Sequence, residues 1–253
     1  MGDELIVDRL DRVMVLTMSR PEARNAVDQA LASSIAAAID ELDEDDDLLV
    51  AVLTGAGGTF CSGMDLKAFA RGERVTTHRG FGGLTERPPS KPIVAAVEGW
   101  ALAGGCELAL ACDLLVAARG AHFGIPEVKR GLVAAAGGLS RLPLALPVQL
   151  AMELALTGEP ITAERAHELG MVNRLTEPGA ALDEALLLAR TIARNGPLAL
   201  RTSKWIMTTA IRRDDQDLWR QQSERVAAVM ASHDATEGAI AFAEKREPRW
   251  TGR

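Results

Sequence analysis

The stretch that decides the fold is Ile93-Val94-Ala95-Ala96-Val97-Glu98-Gly99-Trp100-Ala101-Leu102-Ala103-Gly104-Gly105-Cys106-Glu107-Leu108-Ala109-Leu110-Ala111-Cys112-Asp113. It opens on an apolar run of strand length, breaks at Gly99, passes through Gly104-Gly105 and continues as an Ala/Leu-rich segment suited to helix. The reading is therefore strand, turn, helix. Glu107 is the only charge between Gly99 and Cys112. A carboxylate in the first turn of so apolar a helix must find a partner, take up a proton or serve a site, because burying a bare charge is too costly. Glu107 is the first candidate for chemistry.

Just upstream, residues 67–91 are rich in Arg and Gly, lack sustained periodicity and carry Pro88-Pro89 near their end. Lys67, Arg71, Arg74, Arg79, Arg87 and Lys91 stand there against Glu73 and Glu86. This local excess of positive charge suits either an anionic ligand or a solvated surface loop. Just downstream, 114–118 reads as a strand and 121–127 as a short extended piece in which Pro126 leaves Glu127 without a helical start. Taken alone, Glu127 reads as an exposed carboxylate and His122 as structural.

Further out, 48–53 is a continuous apolar run, the pattern of a strand covered on both faces. The glycines at 55–58 form neither a P-loop nor a GxGxxG fingerprint, and Ser62 lacks the preceding glycine of a nucleophile elbow. On the other side, Gly137-Gly138 lies in a small-residue tract and 148–156 reads as a helix ended by Gly158. Thr162 caps a helix that closes at Gly170, and 171–175 returns as a strand. At the N-terminal end, 5–7 and 13–18 form a hairpin and 20–26 a loop. A helix capped by Asp28 follows, with Leu31, Ile35, Ile39 and Leu42 on one face, and ends in the acidic run 43–47, read as a solvated turn. After residue 182 the pattern is helical over 182–194, 197–212, 215–232 and 236–245, with breaks at Asn195-Gly196-Pro197 and His233-Asp234. The division expected is an α/β core with the active site over 1–194 and a helical oligomerisation subdomain over 195–253.

The 253 residues are 47% hydrophobic and 25% charged, an ordinary globular balance. A formal charge of 28 − 35 = −7 argues against general nucleic-acid binding. Cys61, Cys106 and Cys112 show no CxxC spacing and the four histidines no ligand pattern, so reduced thiols and no metal are expected. The first residues lack the basic and apolar regions of a signal peptide, and Ile6 breaks a myristoylation pattern. The longest nearly uncharged run, 99–112, falls short of the ~20 residues a membrane span needs. A cytoplasmic protein with no membrane partner is expected.

Taken together, several segments resemble the crotonase (enoyl-CoA hydratase/isomerase) superfamily over nearly the whole chain. They are 20–26 (Arg-Pro-Glu-Ala-Arg-Asn-Ala), 60–66 (Phe-Cys-Ser-Gly-Met-Asp-Leu), 99–108 (Gly-Trp-Ala-Leu-Ala-Gly-Gly-Cys-Glu-Leu), 123–127 (Phe-Gly-Ile-Pro-Glu), Gly137-Gly138 and 242–246 (Phe-Ala-Glu-Lys-Arg). The resemblance implies an α/β fold: a core of repeated ββα units forming a superhelix, followed by a C-terminal helical trimerisation region, assembled as a homotrimer or a dimer of trimers. It implies an acyl-CoA thioester substrate, with CoA part of that substrate and no separate cofactor.

By motif match, the backbone N–H groups of Met64 and Gly104 would form the oxyanion hole, and Glu107 and Glu127 would hold one water between them. Glu107 would act as base on the water, and Glu127 would exchange the proton at C2. Glu107 is expected to be ionised, helped by the helix start, while Glu127 shares or carries a proton. Ala23, Arg24, Met64, Asp65, Leu66 and Lys67 match regions that hold CoA, and Phe242 and Lys245 match a tail that reaches a neighbouring subunit's CoA. Both glutamates together favour hydration of a 2-trans-enoyl-CoA over isomerisation. Ala134-Ala135-Ala136 stands where many fatty-acyl hydratases carry Pro-Gly-Ala, and Phe-Gly-Ile-Pro-Glu-Val (123–128) followed by Gly131-Leu132-Val133 resembles the subgroup that includes carnitinyl-CoA dehydratase. Dehydration of a polar 3-hydroxyacyl-CoA is thus the alternative, followed by isomerisation and by a non-catalytic acyl-CoA-binding or RNA-associated role.

Overall fold

Alternation of side chains along the strands sets the architecture. The computed structural model describes residues 4–211, 227, 230–246 and 249. Strands β1 (Leu5–Leu10), β2 (Val13–Met18), β3 (Val50–Gly55), β6 (Ile93–Val97), β8 (Leu114–Ala118) and β11 (Arg174–Thr176) form one sheet in the order β1-β2-β3-β6-β8-β11, while the short helix α2 (Leu66–Ala70) and the separate strand pair β4 (Thr76–Thr77) and β5 (Gly80–Phe81) lie between β3 and β6 in the chain. Within the six-stranded sheet only the β1–β2 hairpin is antiparallel. Val13, Val15, Val50, Val52, Val94, Ala96, Val116 and Ala118 point to one face, where helix α7 (Ala181–Ala193) covers them with Ala181, Ala185 and Ala189. Three alanines at i, i+4 and i+8 leave the helix backbone free to approach the sheet closely. Met14, Leu16, Ala51, Leu53, Ile93, Ala95, Leu115 and Ala117 point the other way, into the larger core. There they meet Leu31, Ile35, Ile39 and Leu42 of helix α1 (Gln29–Glu44), whose Asp28 cap accepts the Leu31 N–H at 2.9 Å.

The decisive segment departs from the simple strand–turn–helix reading. After β6, Gly99 at φ +56 turns the chain so closely over Gly58 that a Cβ would collide with its carbonyl. A second strand, β7 (Trp100–Leu102), then pairs with β9 (His122–Gly124), which pairs in turn with β10 (Ile161–Thr162), in a separate three-stranded sheet. Helix α3 (Gly104–Ala111) follows, completing a ββα unit with both strands packed in different layers. A three-residue strand carries too little alternation to be read from sequence. The helices α4 (Gly138–Ala145), α5 (Val148–Thr157) and α6 (Ala163–Glu168) complete the core, α6 with the expected Thr162 cap.

Beyond Asn195, helix α8 (Pro197–Ile211) is tied to the sheet by Lys204, whose Nζ donates to Asp113 at 2.6 Å and to the Lys91 carbonyl at 2.9 Å. Of the expected helix over 215–232, all but residues 227 and 230–232 lies outside the described residues. His233-Asp234 is not a break but the start of a helix, His233–Glu244, because Ser232 accepts the Ala235 N–H and caps it. Among the described residues, no helix is long and apolar enough to cross a membrane.

Candidate active site

The Gly63 turn and the start of α3 come together because both give up side chains. A Cβ on Gly63, which sits at φ +101, would lie 3.1 Å from the Gly104 nitrogen and 3.0 Å from the Leu102 carbonyl. A Cβ on Gly105 would collide with the Cys61 carbonyl, and one on Gly104 with the Phe81 ring. Leu102 N–H donates to that Cys61 carbonyl at 3.0 Å, locking the two segments edge to edge. Among the described residues, neither the Met64 nor the Gly104 N–H donates in the turn, loop and cap hydrogen bonds. Ala103, which introduces the helix, holds φ +51 and ψ −129, a conformation that costs an L-residue on the order of 1–3 kcal/mol.

Three residues into α3, Glu107 is 3% exposed, and its Oε1 accepts the Gly138 N–H at 2.9 Å. Gly138 leaves it room, since a Cβ there would lie 3.1 Å from the carboxyl. Burial raises the Glu107 pKa to about 7, against the pull of the Gly138 and Ala136 N–H groups and the Arg141 charge. The helix start does not keep this carboxyl in the usual carboxylate range: desolvation outweighs the dipole and brings its ionisation close to neutral pH.

The reading of Glu127 as exposed and non-helical is overturned. Pro126 occupies the first position of a 3-10 turn, Pro126–Arg130, where a missing N–H costs nothing, and Gly131 closes it at φ +66. Glu127 points inward, and its Oε2 is buried without a hydrogen-bond partner. Burial first and the Glu107 charge second raise its pKa to about 8. The two carboxyls thus lie close enough for the charge of Glu107 to act on Glu127.

Loop 20–27 runs beside 62–65: Ser62 N–H donates to the Arg24 carbonyl at 3.0 Å, Val27 N–H to Gly63 at 2.7 Å and Asp65 N–H to Val27 at 2.9 Å. Ala23, Arg24, Met64, Leu66 and Lys67 are thereby gathered on one side, with Arg24 and Lys67 exposed. Asp65 has a structural task, accepting the Lys67 and Ala68 N–H groups and the Arg20 guanidinium at 3.0 Å. Asn25 organises the loop, yet its role had no signature beyond membership of the motif. Fully buried at φ +55, it donates to Ala56 (2.9 Å) and Thr59 (2.7 Å) and accepts the Arg20 N–H (2.9 Å).

The basic stretch is not one anion-binding face. Arg79 is buried, donating to Asp40 (2.6 Å) and Asp43 (2.8 Å), so the acidic run is no mere solvated turn. Lys91 is also buried, on the Asp45 carbonyl at 2.6 Å, and Arg71 pairs with Glu73 at 2.7 Å. His122 stacks on Trp100 with ring centroids 4.4 Å apart. The terminal helix lies on the chain's own Pro126–Arg130 turn. Gly238 abuts the Arg130 carbonyl, the Arg130 guanidinium sits 4.9 Å from the Phe242 ring centroid, and Lys245 is the left-handed C-cap.

A buried carboxylate pair beside two converging backbone segments is the equipment of an acid–base enzyme. The chain belongs to the enoyl-CoA hydratase/isomerase family, whose pattern it matches over residues 8–253. It is 40% identical to a carnitinyl-CoA dehydratase of Salmonella arizonae, with both chains covered completely. Among solved structures it is similar to an enoyl-CoA hydratase from Mycobacterium marinum (57% identity, TM-score 0.82) and a carnitinyl-CoA hydratase from Mycobacterium avium (42%, TM-score 0.95), again over all of both chains. The fold is that of the crotonase superfamily, as the motifs imply.

Proposed function

We propose that this chain is a hydro-lyase that adds water reversibly across the double bond of a 2-trans-enoyl-CoA to give the 3-hydroxyacyl-CoA. The observation that carries the reading is the buried Glu107–Glu127 pair, one carboxyl supplied with hydrogen-bond donors and the other left with an orphaned oxygen. Glu107 takes a proton from water as its oxygen bonds to C3, the double-bond electrons move to the thioester oxygen, and Glu127 delivers its proton to C2. The N–H groups of Met64 and Gly104 hold the oxyanion, Gly104 with the positive end of α3 behind it. One water is consumed and one C–O and one C–H bond form, and proton exchange between the carboxyls resets the site. The chemistry needs no cofactor beyond the substrate's own CoA, because the chain supplies both proton transfers and the oxyanion donors.

CoA would lie along 23–24 and 64–67, with Arg24 and Lys67 toward its phosphates and Phe242 and Lys245 contributing from the terminal helix. A homotrimer, or a dimer of trimers, accounts for the apolar residues that α8 exposes, Leu198 (72%), Trp205 (66%) and Met207 (65%). A second reading, dehydration of carnitinyl-CoA, is favoured by the dehydratase relative, by the segments 123–128 and 131–133, and by Ala134-Ala135-Ala136 in place of Pro-Gly-Ala. The test is the loss of conjugated-thioester absorbance with crotonyl-CoA, run beside dehydration of carnitinyl-CoA. Turnover of crotonyl-CoA supports the first reading, turnover of carnitinyl-CoA alone the second, and neither would remove both.

A further inference from the structure

Arg141 belongs to none of the motifs, yet it joins the turn that holds Glu107 to the buried segment around Thr85. It lies in the first turn of α4, and its guanidinium reaches back over Gly137, where any Cβ would collide with Nη1. Gly137 adopts φ +104, so the turn is open to glycine for conformation and for space at once. Nη1 donates to the Ala136 carbonyl at 3.3 Å and Nη2 to the Thr85 carbonyl at 2.5 Å. Thr85 is fully buried in the segment that Arg79 fastens to α1. The guanidinium and the Glu107 carboxyl therefore occupy the two spaces left by Gly137 and Gly138, on either side of one peptide.

We propose that Arg141 is a positioning residue for Glu107. It braces the 136–138 turn whose Gly138 N–H binds the carboxyl, and joins that turn to the Thr85 carbonyl of the segment preceding β6. The planar fork suits the task, because one guanidinium spans two carbonyls that a single ammonium cannot. Its charge also stands close enough to favour the ionised form of Glu107. The other titratable groups facing the carboxyl are Glu127, from the 3-10 turn, and the Cys106 thiol on α3, whose pKa burial first and then both carboxylates push up. The inference rests on Glu107 being the base.

The experiment compares Arg141→Gln, Arg141→Lys and Glu107→Gln with the wild type on whichever thioester turns over, with butyryl-CoA as a non-reacting binding probe. Arg141→Gln should lower kcat by about 10- to 100-fold, as misplacement of a reacting group does. It should move the acid limb of the pH profile upward by about half a unit or more, as loss of a nearby opposite charge does. Its Kd for butyryl-CoA should stay within about threefold, because no CoA contact is touched. Arg141→Lys keeps the charge and should keep the acid limb while losing part of kcat. An unchanged kcat and acid limb in folded Arg141→Gln overturns the proposal, as do equal losses of melting temperature in both arginine variants with no movement of the pH profile. Should Arg141→Gln not fold, Arg141→Lys decides, and wild-type kcat there overturns it. Wild-type turnover in Glu107→Gln brings down the base assignment and this inference together, whereas loss there with normal Arg141 variants removes the arginine role alone.

Discussion

The start of α3 and the Pro126–Arg130 turn each carry one buried glutamate, and they treat it differently. At α3, Glu107 meets the Gly138 N–H at 2.9 Å and the neighbouring charge of Arg141. In the 3-10 turn, Glu127 keeps one buried oxygen without any partner and faces the charge of Glu107. Both pKa values rise through burial, but the donors restrain the first and the like charge drives the second further. Two identical side chains are thereby pushed toward opposite roles, base and proton carrier, by what stands within hydrogen-bond reach of each.

The hardest way to break this contrast is to remove each carboxylate. Glu107→Gln and Glu127→Gln should each reduce kcat by ~10²- to 10⁴-fold in steady-state hydration, the usual weight of positioned acid–base groups. Ordinary turnover by either would dissolve the pair. A smaller intrusion is Gly138→Ala, which places a methyl 3.1 Å from the Glu107 carboxyl and 3.2 Å from Ile125. It should lower kcat by about tenfold while butyryl-CoA affinity is kept, since the displaced group is the base and not a CoA contact. An unaltered kcat would mean that the Glu107 carboxyl keeps its position against the added methyl.

The contrast is sharpened by pH. With Glu107 ionised and Glu127 protonated in the active form, kcat/KM should follow a narrow bell, rising through about 7 and falling through about 8. Both apparent values belong to the coupled pair. A plateau extending to pH 10 would contradict a protonated Glu127.

The smallest effect is on stability. Folded-state pKa values above the usual carboxylate range mean that the native state binds more protons than the unfolded one between about pH 4.5 and 8, so stability falls as pH rises through that window. Glu127→Gln, lacking this penalty, should melt several degrees higher than wild type at pH 9, at ~2–4 °C per kcal/mol for a chain of this size, and near wild type at pH 4. Thermal melts at both pH values check the sign.

Much of this contrast was invisible along the chain. Glu107 announced itself as a lone charge in an apolar helix, and the apolar runs of the strands together with the Asp28, Thr162 and Gly158 signals marked most of the elements. Glu127 gave no such sign, because its neighbours Pro126, Lys129 and Arg130 are those of a surface turn; only the packing of the turn against α5 and the terminal helix makes it inward-facing. Arg79, Lys91 and Asp43 misled in the opposite sense. Their residue types suggested solvent or a ligand, whereas contacts between segments 36 to 46 residues apart consume them in the fold.

The sequence by itself determined most of the helices and long strands, the family and the candidate carboxylate in α3, because apolar runs, periodicity, capping and motif spacing act over a few residues and survive as pattern. The tertiary structure alone decided which charges are buried, which glycine leaves room for which side chain, and that Arg141 stands against the turn holding Glu107. Burial, collision and hydrogen bonding depend on distances between segments far apart in the chain, and only closing the fold sets those distances.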